Sequence, residues 1–396
     1  MFNKMTLKDL DLKGRKVLLR ADYNVPLNSN QKITNDKRIR ESVPTIQYLL
    51  SQGAKIIICS HLGRPEGKVM PEYSLAPVAD RLRELLHKPV ILTQDVAGTD
   101  TFKYVRNMKD GDIILMENLR FEPGEEENNA EFAKRLASVA DVYCDDAFGC
   151  MHRAHASVSK ITEFLPSCAG LLVEKEMNIF TKTMENPERP FVVVIGGAKV
   201  KDKINLISNL LNIADVVLIG GAMAYTFMRA KGYPVGKSLV EKDKIALAKL
   251  LMEKAEKTGV KVILPVDHIV TGEFSFSAES ITVSTAKFPS NGMGMDIGPR
   301  TIIKYRHYIN RAKTVFWNGP MGVFEFQKFA KGTNAIAKAM AKSTAVTIVG
   351  GGDSAAAVEA LQLQDKLTHV STGGGAALNL LEGIKLPGIE ALQDKI

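Results

Sequence analysis

Short runs of apolar, often β-branched residues alternate with amphipathic stretches along the whole chain. Runs at 16–20, 55–59, 112–116 and 141–144 predict buried strands in the first half. Runs at 191–195, 215–219, 260–264, 313–316 and 345–349 predict them in the second. Between the runs, 36–50, 76–87, 130–137, 243–257 and 333–342 carry apolar positions at helical spacing. This alternation predicts an α/β chain of parallel sheets flanked by helices, with ligands at the carboxyl ends of strands. Residues 171–186 keep helical periodicity and stop at Asn186-Pro187, because proline disfavours helix in the residue before it. They read as an interdomain helix between a first domain at 1–170 and a second beginning at 187.

A chain of 396 residues exceeds one comfortable core, which supports two domains. Its 45% hydrophobic and 24% charged residues are those of a soluble globular protein. A net charge of +8 suits anionic partners or an ordinary basic surface. Lys and Arg are scattered and do not interleave with aromatics, so no nucleic-acid arm is expected. Cys59, Cys144, Cys150 and Cys168 form no C-x-x-C pair and need no disulfide framework. The start of the sequence lacks an apolar signal segment, and no run approaches the roughly 18 apolar residues of a membrane span. A cytoplasmic protein is expected.

The two halves use different chemistry. Of 16 arginines, 11 lie at or before Arg153, whereas 22 of 31 glycines lie at or after Gly196, with every adjacent glycine pair. Arginine forks suit the carboxylate and phosphate of a small acid. Glycine turns entering helices suit nucleotide phosphates. Two anionic ligands are expected, one per half, meeting in a cleft.

In KVLLRADYNVP, strand alternation puts Arg20, Asp22 and Asn24 on one face, either to grip hydroxyls or as a plain polar edge. IIICSHLGRP runs a strand into His61, Gly63 and Arg64 at the end where ligands bind. IILMENLRF repeats the arrangement with Arg120. Arg153 follows DVYCDDAF, and Arg38 opens the helix after the Asn24 loop. The glutamates at 125–127 read as a solvated loop or first helical turn. His152 and His155 lie near Cys144 and Cys150, but the spacing fits no usual zinc pattern.

FVVVIGGAKVKDKI reads as strand, turn and helix, with Lys199 and Lys203 on one helical face, holding phosphates or facing solvent. No G-x-x-x-x-G-K-[ST] loop occurs. TAVTIVGGGDSAAAV is the clearest phosphate loop, where Asp353 is either a Mg²⁺ ligand or a helix cap. HVSTGGGAAL supplies a second glycine-rich helix start. VFWNGPMGVFE combines apolar walls with Asn318 and Glu325, and Trp317 reads as core. A loose G-x-G-x-x-A match leaves an NAD-dependent dehydrogenase as a rival, and the basic charge leaves a nucleic-acid-binding protein as another.

Ten stretches, in order, resemble the phosphoglycerate kinase family over essentially the whole chain: RADYNVP, SHLGRPEGK, ENLRFEPGEE, DDAFGCMHRAHAS, GGAKVKDKI, IGGAMAYTF, GMGMDIGP, WNGPMGVFE, GGGDSAAA and STGGGA. The resemblance implies two Rossmann-like domains joined by a hinge. One, 1–170, binds 3-phosphoglycerate and receives a returning tail at 377–396; the other, 187–376, binds nucleotide. It implies transfer from 1,3-bisphosphoglycerate to ADP, giving 3-phosphoglycerate and ATP with Mg²⁺, by a monomer with no nucleic-acid or membrane partner. On the acid side it implies contacts from Asp22 and Asn24 and a basic patch of Arg38, His61, Arg64, Arg120 and Arg153. On the nucleotide side it implies Gly197, Ala198, Lys199, Lys203, Gly221, Gly294, Asn318, Pro320, Gly322, Val323, Glu325, Gly351, Gly352, Asp353 and Ser354, with Asp353 on Mg²⁺. Arg38, Lys199, Gly351 and Gly374 are expected at the transferred group. Two departures stand out. Cys150-Met151 replaces the more usual Thr-Ala, and Ala222 stands where a third glycine is often found.

Overall fold

Most of the apolar runs become the central strands of two parallel sheets. In the computed structural model, which describes residues 2–395, β1 (Lys16–Arg20), β2 (Lys55–Cys59), β3 (Ile91–Leu92), β4 (Ile113–Leu115), β5 (Val142–Asp145) and β6 (Ser167–Ala169) form the first sheet. Its order is β3-β4-β2-β1-β5-β6, all parallel. Register places Val17 beside Ile56 and Val142, and Arg20 beside Cys59 and Asp145. Helices α1 (Lys37–Ser51), α2 (Ala76–Leu86), α3 (Thr99–Val105) and α4 (Ala130–Ala137) cross between strands. Ile39, Ile46 and Leu49 of α1 and Val78 and Leu82 of α2 are fully buried against Val17, Leu19, Ile56 and Ile58. Each such side chain contributes about 1.5–3 kcal/mol by leaving water. Asn129 starts α4 by accepting a hydrogen bond from Phe132 N.

Helix α5 (Leu171–Glu185) carries the chain out of the first unit, which ends at Thr181. The second unit, Lys182–Ile384, opens with β7 (Phe191–Ile195), α6 (Ile204–Leu210), β8 (Val216–Ile219), α7 (Met223–Ala230), α8 (Ile245–Thr258) and β9 (Lys261–Ile263). Next come β10 (Asp267–Thr271), β11 (Ser280–Ser284) and β12 (Met293–Ile297), a small antiparallel sheet in the order β11-β10-β12. Apolar periodicity did not predict it, because β11 is polar and its Ile281 is exposed. The unit ends with α9 (Pro299–Arg311), β13 (Thr314–Asn318), α10 (Lys331–Lys342), β14 (Val346–Gly350), α11 (Gly352–Ala360), β15 (His369–Val370) and α12 (Gly375–Leu381). Its parallel sheet has the order β15-β14-β13-β7-β8-β9. All five residues of β7 and of β13 are buried, which is why these strands read as continuous apolar runs.

Helix α12 stays with the second unit, where Asn209 Nδ2 donates to the Leu381 carbonyl at 2.7 Å. The chain rejoins the first unit at Lys385, so the returning segment is shorter than a start at 377 would make it. There α13 (Pro387–Ala391) lies against residues before it: Gly388 N donates to the Met151 carbonyl, and Met5 N to that of Gln393. Cys59, Cys144, Cys150 and Cys168 are buried and free. Among the described residues no helix is long and apolar enough to cross a membrane.

Candidate functional site

In the first unit, loops leaving β1, β2 and β4 are tied into one cluster. Arg38 Nη1 donates to Asp22 Oδ1 at 3.0 Å and to the Asn24 carbonyl at 3.1 Å. Asn24 Oδ1 accepts from Gly63 N at 2.9 Å, and the Gly63 carbonyl accepts from Arg120 Nη1 at 2.7 Å. Arg120 is buried, lies 3.1 Å from Glu126 Oε1, and keeps its Nε without a partner among the described residues. His61 is also buried. Burial, and then the charges of Arg20, Arg120, Arg153 and Arg38, hold its pKa well below the usual histidine value. It is therefore a neutral imidazole in a cationic pocket. Arg64 is exposed, one residue past Gly63.

Three expectations for this region need correction. Strand β1 ends at Arg20, so its face does not continue through Asp22 and Asn24. Arg20 is only 1% exposed: its Nε donates to Ser157 Oγ at 2.9 Å, and its Nη2 lies 3.3 Å from His61 Nδ1. It braces the cluster from beneath. Glu125 is not solvated but wholly buried, accepting from Ser157 N at 2.9 Å and Ser157 Oγ at 2.6 Å. Nothing in a run of glutamates marks one of them as interior. Cys150, the departure from the family pattern, has its Sγ 3.9 Å from His61 Nδ1. Asp22, His61 and Cys150 could supply metal-ligand atoms within 4.8 Å of one another, but the four arginines acting on His61 oppose a cation there.

The second unit contains a cavity of about 300 Å³. Nine predicted residues line it: Gly197, Ala198, Gly221, Gly294, Pro320, Gly322, Val323, Glu325 and Asp353. Tyr225, Leu239, Phe274, Met293, Met295, Asp296 and Met321 also line it and were not singled out from sequence. Aromatic and apolar side chains at five separated places carry no local signal of a shared wall. Gly221 has φ 65°, and a Cβ there would come within 2.5 Å of Gly197 N. Ala222 adopts right-handed helical geometry at φ −66°, so the backbone needs no third glycine.

Lys199, Lys203, Asn318, Gly351, Gly352 and Ser354 are not among the lining residues. The shared helical face expected for Lys199 and Lys203 does not exist: Lys201–Lys203 is a 3-10 turn, and α6 begins at Ile204. Lys199 is exposed. Lys203 instead reaches back, donating to Asn318 Oδ1 at 2.5 Å and to the Gly196 carbonyl at 2.7 Å. Burial pulls its pKa down to about 8, opposed by Asp353 and Asp202. Asn318 Nδ2 donates to the Gly350 carbonyl, and Ser354 Oγ accepts from Gly319 N at 2.6 Å, so both side chains hold the loops together. Gly351 has φ 89° immediately before α11, and Gly374 has φ 50° before α12. Three carboxylates line the cavity. Asp296 is buried and spent on the N–H groups of Ile297 and Gly332, with burial pushing its pKa up to about 7. Glu325 and Asp353 are exposed.

An arginine–histidine cluster beyond one parallel sheet, and glycine-rich helix starts around a cavity beyond another, have the make-up of a kinase acting on a small anionic substrate. A family model described as phosphoglycerate kinase matches residues 7–384. The phosphoglycerate kinase of Clostridium tetani is 54% identical over 397 residues, spanning 100% of this chain and 99% of that protein. That of Clostridium novyi is also 54% identical, over 99% of each chain. The solved structure of phosphoglycerate kinase from Coxiella burnetii superposes with a TM-score of 0.90 at 43% identity, covering 98% of both chains. The chain belongs to the phosphoglycerate kinase family. It is an enzyme, a phosphotransferase.

Proposed function

We propose that this chain catalyses the reaction of its family: reversible transfer of a phosphoryl group from 1,3-bisphosphoglycerate to ADP, giving 3-phosphoglycerate and ATP. The first unit would bind the acid and the second the nucleotide. The observation that carries this reading is the meeting of Gly197, Gly221, Gly294, Pro320, Gly322 and Asp353 around one cavity. These residues come from five separate stretches of chain, each of the kind suited to phosphates or a nucleotide.

The acceptor is a carboxylate or, in the forward direction, ADP. Both are ionised near neutral pH, so no general base is required. The obstacle is the crowding of negative charges, and catalysis reduces to positioning and electrostatic neutralisation. Arg38 and Lys199 would flank the transferred group, with N–H groups at Gly351 and Gly374 adding fixed partial charge. Lys199 is exposed and therefore available for this. Arg38 is already oriented by Asp22 and the Asn24 carbonyl. His61, Arg64, Arg120 and Arg153 would hold the remote phosphate, and the unpartnered Nε of Arg120 is a donor still to be used. A hard cation takes oxygen donors, and the exposed carboxylate of Asp353 at the cavity suits Mg²⁺ bound with a nucleotide. When bound, the ion supplies charge neutralisation on the phosphates.

Transfer requires the two bound groups to come within bonding reach, so both ligands should favour an approach of the two domains about a hinge, which also excludes water. The protein is expected to act as a cytoplasmic monomer, in keeping with its four free thiols. A coupled assay tests the central reading: ADP, Mg²⁺ and 1,3-bisphosphoglycerate are supplied and ATP is measured. No ATP above background would overturn it.

A further inference from the structure

The net charge of +8 is concentrated in one place. The first unit balances 27 Lys and Arg against 27 Asp and Glu, whereas the second has 25 against 17. Residues 299–344 alone hold nine of those cations and a single carboxylate, Glu325. They fold as α9, β13 and α10, and neither helix contains an Asp or Glu. The two helices pack side by side. Between them runs a groove of about 500 Å³ whose charged lining is Arg306, Lys331, Lys338 and Lys342. Asn310 and Asn334 add amides, and among the described residues no carboxylate lines it.

All four cations are exposed, and none is in an ion pair among the described residues. Helix stability accounts for part of this pattern only. A cation in the last turn complements the helix dipole, which explains Lys342. Lys331 is the first residue of α10, where the dipole disfavours a cation, and the acid acting beside it is the buried Asp296. Lys331, Lys338 and Lys342 share one face and span roughly 16 Å at about 1.5 Å per residue. Arg306 faces them across the groove. Like charges aligned without counter-ions repel one another, and a multiply charged anion along the row would relieve this. Among the described residues no aromatic side chain lines the groove, so it offers no platform on which bases could stack.

We propose that the α9–α10 groove is a binding site for linked phosphates without bases, that is, a chain of inorganic polyphosphate. The groove starts at Lys331, beside the cavity residue Asp296, and its Lys338–Lys342 end lies away from the nucleotide cavity. The carboxyl ends of α9 and α10, at Arg311 and Lys342, lead into the amino ends of β13 and β14, whereas Pro320, Gly322 and Asp353 of the cavity follow their carboxyl ends.

The test is titration of the full chain with medium-chain inorganic polyphosphate at about 0.1 M salt, where screening is moderate. Saturable binding is expected, and it should persist with ADP and Mg²⁺ at saturation. The pair Lys338→Glu, Lys342→Glu should weaken it at least about tenfold, with a shallower salt dependence. The control pair Lys249→Glu, Lys257→Glu carries the same charge change on the exposed face of α8 and should cost no more than about twofold. Lys338→Gln, Lys342→Gln should give an intermediate loss and guards against an effect on folding. Turnover should be unchanged in every variant. Absence of saturable binding, or equal loss in the control pair, would overturn the proposal. So would tighter binding of a single-stranded DNA of matched charge, which would make the groove a nucleic-acid surface.

Discussion

Lys203 Nζ donates to Asn318 Oδ1 at 2.5 Å, and the same ammonium bonds the carbonyls of Gly196 and Asn318 at 2.7 and 3.2 Å. One cation thus satisfies three oxygens where β7 and β13 end beside each other. Lys203→Met would leave them without that donor, and a buried unpaired acceptor costs about 1–3 kcal/mol. Trp317 is the single tryptophan and is fully buried in this unit, so its fluorescence reports the unfolding. The denaturant midpoint should fall by the equivalent of about 2 kcal/mol. An unchanged midpoint would contradict the structural role of this ammonium.

Glu125 holds the segment carrying Arg153 and His155 by accepting from Ser157 N and Oγ. Glu125→Ala should destabilise the first unit by about 3 kcal/mol, since two buried donors lose their acceptor. Glu125→Gln should cost less, because its amide oxygen can still accept one bond. Thermal unfolding followed by circular dichroism would show the order, and equal stability of all three proteins would refute it.

Arg38 is held by Asp22 and the Asn24 carbonyl, and in the proposed mechanism it neutralises charge during transfer. Arg38→Ala should lower turnover by about 10²-fold or more while changing the apparent affinity for the acid much less. Weaker binding with normal turnover would reduce Arg38 to a binding residue.

Asp353→Asn should weaken binding of Mg-ADP by about tenfold and leave metal-free ADP nearly unaffected. Calorimetry with and without Mg²⁺ separates the two. Equal loss in both would assign Asp353 to the nucleotide or the helix start, not to the metal.

His268 is buried between Tyr225 and Thr285, and burial lowers its pKa from 6.5 to about 4. In the unfolded chain it protonates first as pH falls. Its contribution to stability is therefore complete above about 6.5 and is lost between about 6.5 and 4, to a total of about 3 kcal/mol. The imidazole resonances should titrate near pH 4 in the folded protein. A midpoint at the ordinary value of 6.5 would show that the ring is open to water.

Much of this architecture was legible in the residue order. Strands such as Phe191–Ile195 are buried on both faces, so their apolar runs announce them. Gly351 announces a turn because φ 89° suits little else. The antiparallel sheet was hidden because β11 is polar and partly exposed, and short polar strands resemble loops.

By itself, the sequence determined the α/β alternation, the family, and which loops carry arginine or glycine, because these depend on local periodicity and residue type. Tertiary structure alone decided what those side chains do. It buried Glu125 and Arg20, turned Lys203 back on Asn318, and gathered Tyr225, Leu239, Phe274 and Met293 into one wall. It also joined cations scattered along two helices into a continuous groove. Each outcome depends on partners distant in sequence, whose proximity sets burial, and with it the cost of an unpaired charge.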